Sequence, residues 1–232
     1  MEEKEHDTRG ESELEQKARE PVQEPVQELV QEAIQAPVQD AVAEVKDQVA
    51  DASEQVAEKK RTLDVRVFRF INSIPHARRD DLIVGVISDL GQGMGWWAAS
   101  AWLAATGGRT GLRAGLATTA GSIGATYLVQ AGIKPVFRRN RPFMSREAIV
   151  VGMRPSDHSF PSGHSAASFA AAHALAHFYP RQRIPLYTVA TLVGLSRIRV
   201  GHHFPSDVAV GAAIGLGIGE LCYRLANWGR QV

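Results

Sequence analysis

The sequence predicts an all-α fold: a polytopic membrane bundle of about five transmembrane helices, with an interfacial helix and a disordered or weakly helical N-terminal tail. Three observations predict it. Five apolar runs lie within residues 62–232, each near the length of about 20 residues that crosses a hydrocarbon core. Those runs are rich in Gly, Ala, Ser and Thr, which let helices approach closely within lipid. Charge is split along the chain: residues 1–61 carry 17 acidic and 8 basic side chains, residues 62–232 carry 8 and 18. Such asymmetry marks two regions with different surroundings. A water-soluble bundle would need more polar surface than five such runs leave.

Two units are therefore expected, an acidic tail over 1–61 and a membrane domain over 62–232. The tail begins without an apolar stretch, which predicts no signal peptide. A four-residue unit repeats through Val22-Gln23-Glu24, Val26-Gln27-Glu28 and Val30-Gln31-Glu32. Val42, Val45, Val49, Ala52 and Val56 then alternate by three and four, as a weak coiled-coil seam does. Pro21, Pro25 and Pro37 interrupt the first half. Residues 38–60 are expected to be helical only on association, with self-association through the tail as the partner reading. Leu63, Val67, Phe70, Ile71 and Ile74 form an apolar stripe broken by Arg66 and Arg69, the pattern of a short helix lying at an interface.

The five runs span roughly 82–105, 112–133, 163–179, 184–200 and 204–226. Gly111/Gly115 and Gly211/Gly215/Gly219 have the spacing of close helix contacts. Asp89, inside the first run, is costly in lipid and is expected to face the bundle. The lone Cys222 forms no internal disulfide and reads as a small apolar side chain. The basic residues are not interleaved with exposed aromatics, so nucleic acid is not a predicted partner.

Alternating crossings put the short joints, near 107–111 and 180–183, on one face. Lys134, Arg141, Ser162, Gly163, His164, Arg197, His203 and Asp207 then share the other. His203 and Asp207 are four apart and can meet on one helical face. A carboxylate on one imidazole nitrogen leaves the other directed as a nucleophile or base. Lys134, Arg141 and Arg197 suit a tetrahedral dianion. The N–H groups of Ser162 and Gly163 open a helix, where anions bind. His164 is placed to hand a proton to a leaving alkoxide. No carboxylate cluster suits magnesium and no Cys set suits zinc. Arg138 and Arg139 read as headgroup or loop charges, His202 as pointing away from the site, His158 as near the site in sequence with shaping of its entrance only the minor alternative, and His173 as a buried polar contact too deep for the site.

Lys134-x6-Arg141-Pro142, Pro161-Ser162-Gly163-His164 and Ser196-Arg197-x5-His203-x3-Asp207 resemble the three signatures of the type 2 phosphatidic acid phosphatase superfamily. Phe70-Ile71-Asn72 and Ser88-Asp89-Leu90-Gly91 resemble the run-in of its small bacterial membrane members. The resemblance implies a helical core over about 62–225, with no counterpart to the tail. It implies His203 as nucleophile, Asp207 as its orienting partner and His164 as acid and then base. Lys134, Arg141, Ser162, Gly163 and Arg197 would be the phosphate clamp. It implies hydrolysis without metal or other cofactor. Only the peroxidase branch uses vanadate. The expected substrate is a lipid phosphate or diphosphate held in the bilayer, such as a prenyl diphosphate, phosphatidic acid or phosphatidylglycerophosphate. Two other readings are a catalytically silent membrane anchor presenting the acidic tail and a vanadium-dependent haloperoxidase-like enzyme. Arg109, Arg113, Arg181 and Arg183 on the short joints point to a multi-pass protein of the cell membrane with its active face outside the cytoplasm.

Overall fold

The computed structural model describes residues 36–91, 93–145 and 148–228. Contacts divide the chain into two compact units, Met1–Lys59 and Lys60–Val232. In the first unit the described residues are helical, the start of helix α1, Ala36–Asn72. Pro37 is its second residue, where a missing N–H costs nothing. Val45 and Val49 of the expected seam are exposed. The Val-Gln-Glu repeat of residues 22–32 lies outside the described residues.

The interfacial helix is not a separate element: α1 continues without a break to Asn72. Within the second unit, Leu63, Val67, Phe70 and Ile74 of the expected stripe are indeed exposed, while Phe68 and Asn72 are buried. The Asn72 amide donates to the carbonyls of Ile149 and Arg199, each at 2.8 Å, and its oxygen accepts from Ile149 N at 2.8 Å. One side chain thus ties α1 to the loop and to the end of a later helix.

The run expected over 82–105 is two helices, α2 (Arg78–Gly91) and α3 (Met94–Thr106). The break has a packing reason. A Cβ on Gly91 would fall 2.3 Å from Val193 Cγ1, and Gly93 has φ +141°, a conformation that favours glycine. Asp89 is exposed rather than facing the bundle; the helix turns it outward while its neighbour Ser88 is buried. Four helices follow: α4 (Gly108–Tyr127), α5 (Gly163–Phe178), α6 (Arg183–Arg199) and α7 (Pro205–Asn227). α4 runs on through a π-helical turn, Leu128–Ile133. Lys134 N bonds back to Val129 O at 3.0 Å, so the extra residue per turn sets the direction of Lys134.

α5 is the centre, packed against α4, α6 and α7. Its inward side chains are nearly all Ala and Ser, so backbones approach closely. The Gly211/Gly215/Gly219 ladder of α7 faces it. A Cβ at those positions would lie 2.3–2.5 Å from the carbonyl oxygens of Ser162, Ala166 and Ala170. Gly111 and Gly115 of α4 meet α3 in the same way, against Leu103 and Ser100. Large apolar side chains point outward instead: Leu82 and Val86, Trp97 and Trp102, Leu116 and Ile123, Leu192 and Leu195, Leu221 and Leu225 are all exposed.

Among the described residues one helix, α7, is long and apolar enough to cross a membrane by length and composition. The expectation of five such helices is corrected: α2, α3, α5 and α6 have 14, 13, 16 and 17 residues. Counting apolar residues merged α2 with α3 and could not see where each helix stops.

Candidate active site

The C-terminal ends of α4 and α6, the N-terminal ends of α5 and α7, and the loop residues Arg139, Arg141 and Asp157 converge at one end of the second unit. Local chemistry sets each approach. Ser162 caps α5: its Oγ accepts from Ser165 N at 3.4 Å and from Ser165 Oγ at 2.9 Å. Its own N–H donates to the Asp207 carbonyl at 2.9 Å, which locks the start of α5 to the start of α7. Gly163, the next residue, packs near Val129 and Gln130 of the π-helical turn. At the end of α6 the Arg197 carbonyl accepts from both His202 N and His203 N, at 3.1 and 3.2 Å. That double bond needs a reversal at Gly201, which has φ +79°, and a Cβ there would sit 2.5 Å from Ile149 O. α7 then opens with Pro205, and Asp207 Oδ2 accepts from Phe204 N at 2.8 Å.

All eight expected site residues are found at this end. Lys134, Arg141, Arg197, Ser162, His203 and Asp207 are buried, as is Gly163. His164 is half-buried, within electrostatic range of Arg197, His203, His202 and Lys134. His203 Nε2 faces Arg141 Nη1 at 3.4 Å. Its Nδ1 faces Asp207 Oδ2 at 3.7 Å, longer than a hydrogen bond. The expected contact between these two is therefore an approach, and His203 Nδ1 has no hydrogen-bond partner. Burial, then the charges of Arg141, Arg197 and Lys134, hold the His203 imidazole well below its ordinary pKa. It is neutral at pH 7, and a proton on Nδ1 is the arrangement that leaves the Nε2 lone pair facing Arg141.

Three features escaped the sequence reading. Arg139 is not a loose loop charge. Its Nη1 donates to Asp207 Oδ1 and to Ser206 Oγ, both at 2.7 Å, and its Nη2 donates to Asp64 Oδ2 at 2.6 Å. The guanidinium lies 4.2 Å from the Phe204 ring centroid. Asp64, on α1, also accepts from Ser206 N and Oγ. Nothing in the spacing of Arg139 separates it from Arg138, and its two carboxylates lie 68 and 75 residues away.

His202 does not point away either. Its Nδ1 accepts from Arg197 Nη2 at 2.6 Å, while Arg197 Nη1 donates to Ser88 Oγ. Burial, then Arg197 and Arg141, lower its pKa to about 3, so it acts as a neutral acceptor that aims the guanidinium.

Asp157 is the third. Its carboxylate bridges two of the expected clamp residues: Lys134 Nζ donates to Oδ2, and Arg141 Nη2 donates to Oδ1 at 2.5 Å. Arg141 also donates to the carbonyls of Asp157, His202 and His158. Burial opposes ionisation of Asp157, but the hydrogen bond and charge of Lys134 and the charge of Arg141 outweigh it and hold the carboxyl at about 2. Burial likewise pulls the Lys134 ammonium below its ordinary value, opposed by Asp157. An anionic group with two oxygens thus already sits on cations suited to a tetrahedral oxyanion. His158 joins the site only through its backbone carbonyl.

Two helix ends and a loop of an all-α core thus gather three buried cations near a neutral imidazole. The chain belongs to the PAP2 superfamily, whose family model matches residues 115–231. It is similar to small bacterial lipid phosphatases of that superfamily. It is 45% identical over 74 residues to the lipid A 1-phosphatase of Porphyromonas gingivalis, covering 30% of this chain and 16% of that protein. It is 41% identical over 101 residues to the decaprenylphosphoryl-5-phosphoribose phosphatase of Mycobacterium tuberculosis, covering 43% and 54%. The chain thus spans about half, or less, of the length of these curated relatives. The crystal structure of Aquifex aeolicus LpxE is similar at a TM-score of 0.58 and 28% identity, over 70% of this chain and 95% of that one.

Proposed function

We propose that this protein hydrolyses a phosphate monoester or diphosphate on a membrane lipid through a phosphohistidine on His203. The observation that carries the reading is the gathering of Lys134, Arg141 and Arg197 within electrostatic range of a buried, neutral His203 whose Nε2 faces Arg141 at 3.4 Å. Substrate oxygens displace the Asp157 carboxylate and take donors from Lys134, Arg141 and Arg197, with the N–H groups at the start of α5 beside them. The His203 Nε2 lone pair attacks phosphorus in line with the ester oxygen. Asp207, held by Arg139, offsets the positive charge that develops on the imidazole. His164, protonated as the phosphate dianion enters the clamp, gives that proton to the departing lipid alkoxide or phosphate and is left neutral for the next step. A water then attacks the phosphohistidine, with His164 taking its proton, and inorganic phosphate leaves. The side chains supply the positive charge that this transfer needs.

The exposed Leu, Ile, Val and Trp side chains around a core of Ala, Gly and Ser support immersion of the bundle in a bilayer as a multi-pass domain. An amphiphile then keeps its tail in lipid and presents its phosphate at the boundary. The relatives' names support two substrate families, prenyl-linked phosphates and acylated sugar phosphates; phosphatidic acid and phosphatidylglycerophosphate carry the same reacting group. The basic short joints support an active face outside the cytoplasm.

The test is phosphate release by detergent-purified protein offered a panel of prenyl diphosphates, glycerophospholipid phosphates and lipid A. At least one lipid should turn over with wild type and none with His203→Asn. No release from any lipid, or release undiminished in His203→Asn, would overturn the proposal.

A further inference from the structure

At the other end of α5 stands a second cluster that the proposed reaction does not use. His173 and His177 lie four apart on one face of that helix, and Glu220 of α7 reaches across to them. The three polar atoms form a closed triangle: His173 Nε2 to Glu220 Oε2 is 3.1 Å, His177 Nε2 to Glu220 Oε2 is 3.0 Å, and the two Nε2 atoms are 3.2 Å apart. His164 marks the catalytic end, and His173 is nine residues further along, roughly 13 Å at the helical rise. The neighbours agree with that placement, since Tyr187 lies in the first turns of α6, next to the short joint that follows α5.

From this triangle we infer a binding site for one divalent zinc-like cation, coordinated by His173 Nε2, His177 Nε2 and Glu220 Oε2. Protons alone serve the triangle poorly. Two N–H groups can both be directed at the carboxylate oxygen, but the edge between the nitrogens then brings two donors together at 3.2 Å. A cation makes all three atoms ligands at once. Tetrahedral zinc with bonds of about 2.0–2.1 Å places its ligands about 3.3–3.4 Å apart, a few tenths of an ångström from what is found. Two imidazoles and one carboxylate are a recurrent zinc donor set with a fourth position left for water.

The surroundings orient the ligands as metal sites require. His173 Nδ1 is 2.6 Å from the Tyr187 hydroxyl, which fixes the ring and leaves Nε2 facing inward. Arg224 Nε donates to Glu220 Oε1 at 2.6 Å, so the other oxygen, Oε2, is the one presented to the histidines. The His177 ring stacks on Tyr223, with centroids 4.3 Å apart and planes at 20°. The ion would clasp α5 to α7 beyond the last rung of the glycine ladder, far from the phosphate clamp. It would therefore add stability without entering the reaction.

The test uses the full chain in detergent, stripped with chelator and then given zinc alone or cobalt alone. Wild type should retain about one zinc per chain after buffer exchange and show a rise of several degrees in Tm. Cobalt should give the visible absorption of a tetrahedral site. His177→Ala, at the most exposed of the three positions, and the near-isosteric Glu220→Gln should each lose the retained metal and the Tm rise. Both should keep the wild-type size-exclusion profile and turnover. If zinc is not retained by wild type, or is retained equally by both variants, the inference is overturned.

Discussion

His203 is useful because its two nitrogens meet different surroundings. Replacing it with Asn should lower turnover by about 10⁴-fold or more, since the substitution removes the proposed nucleophile itself. The variant should still elute as the folded protein in detergent. Arg139 acts one step back. Arg139→Ala would leave Asp207 fully buried with one cation fewer, a change that costs about 3–5 kcal/mol when a buried pair loses a partner. The expected kinetic signature is a fall in kcat with KM little changed, because Asp207 orients the imidazole while the clamp holds the phosphate. A KM effect alone would place Arg139 on the substrate instead.

Asp157 makes a prediction with a definite sign. Its carboxyl titrates at about 2 in the folded chain against an ordinary 3.8. The unfolded chain therefore takes up the proton first as pH falls. The stabilisation is complete above the ordinary value and is lost as pH drops through about 2. Thermal melts in detergent from pH 5 to pH 2 should fall more steeply for wild type than for Asp157→Asn. The same substitution removes the anion that competes with phosphate, so inorganic phosphate should inhibit Asp157→Asn at lower concentration than wild type.

The helices meet through absent side chains. On α7, Gly215 stands where a Cβ would fall 2.3 Å from Ala166 O and 2.9 Å from Ala170 N, and backbone cannot swing aside as a side chain can. Gly215→Val should therefore destabilise by at least about 1–3 kcal/mol, the usual cost of overpacking, read as a lower Tm in detergent. Gly217 has open space in place of a Cβ, so Gly217→Ala should leave Tm near the wild-type value. The break between α2 and α3 follows the same logic, since Val193 of α6 occupies the space of a Gly91 side chain.

The bundle as a unit inverts the packing of a water-soluble protein, with small residues inside and large apolar ones outside. Its basic short joints support an orientation with the active face outward. In a Cys222→Ser background, a cysteine at position 109 should stay unlabelled by an impermeant reagent in whole cells and label after permeabilisation. Labelling in intact cells would reverse the proposed sidedness. Chelation should lower Tm by removing the inferred ion while leaving turnover intact, and vanadate should inhibit by taking the phosphoryl position. Loss of turnover on chelation would count against both the side-chain-only reaction and the separation of the two sites.

The residues proposed to meet the phosphate were legible because their spacing carries their chemistry: Pro161 to His164, Arg197 to Asp207, and Lys134 with Arg141 each lie on one short stretch beside a helix end. The glycine ladders were legible for the same reason, since i, i+4 is a local rule. What the chain order could not show were pairings between distant positions. Asp64 and Arg139 around Asp207, Asp157 across Lys134 and Arg141, and Glu220 against His173 and His177 each depend on elements that pack only once the bundle has formed. Periodicity also ran α2 into α3, because a helix break imposed by a neighbouring Val193 leaves no mark on hydropathy. Short-range order thus names the candidate reacting groups, but the aim of each charge is decided by contacts across 16 to 75 residues, where only the folded backbone brings donor and acceptor within reach.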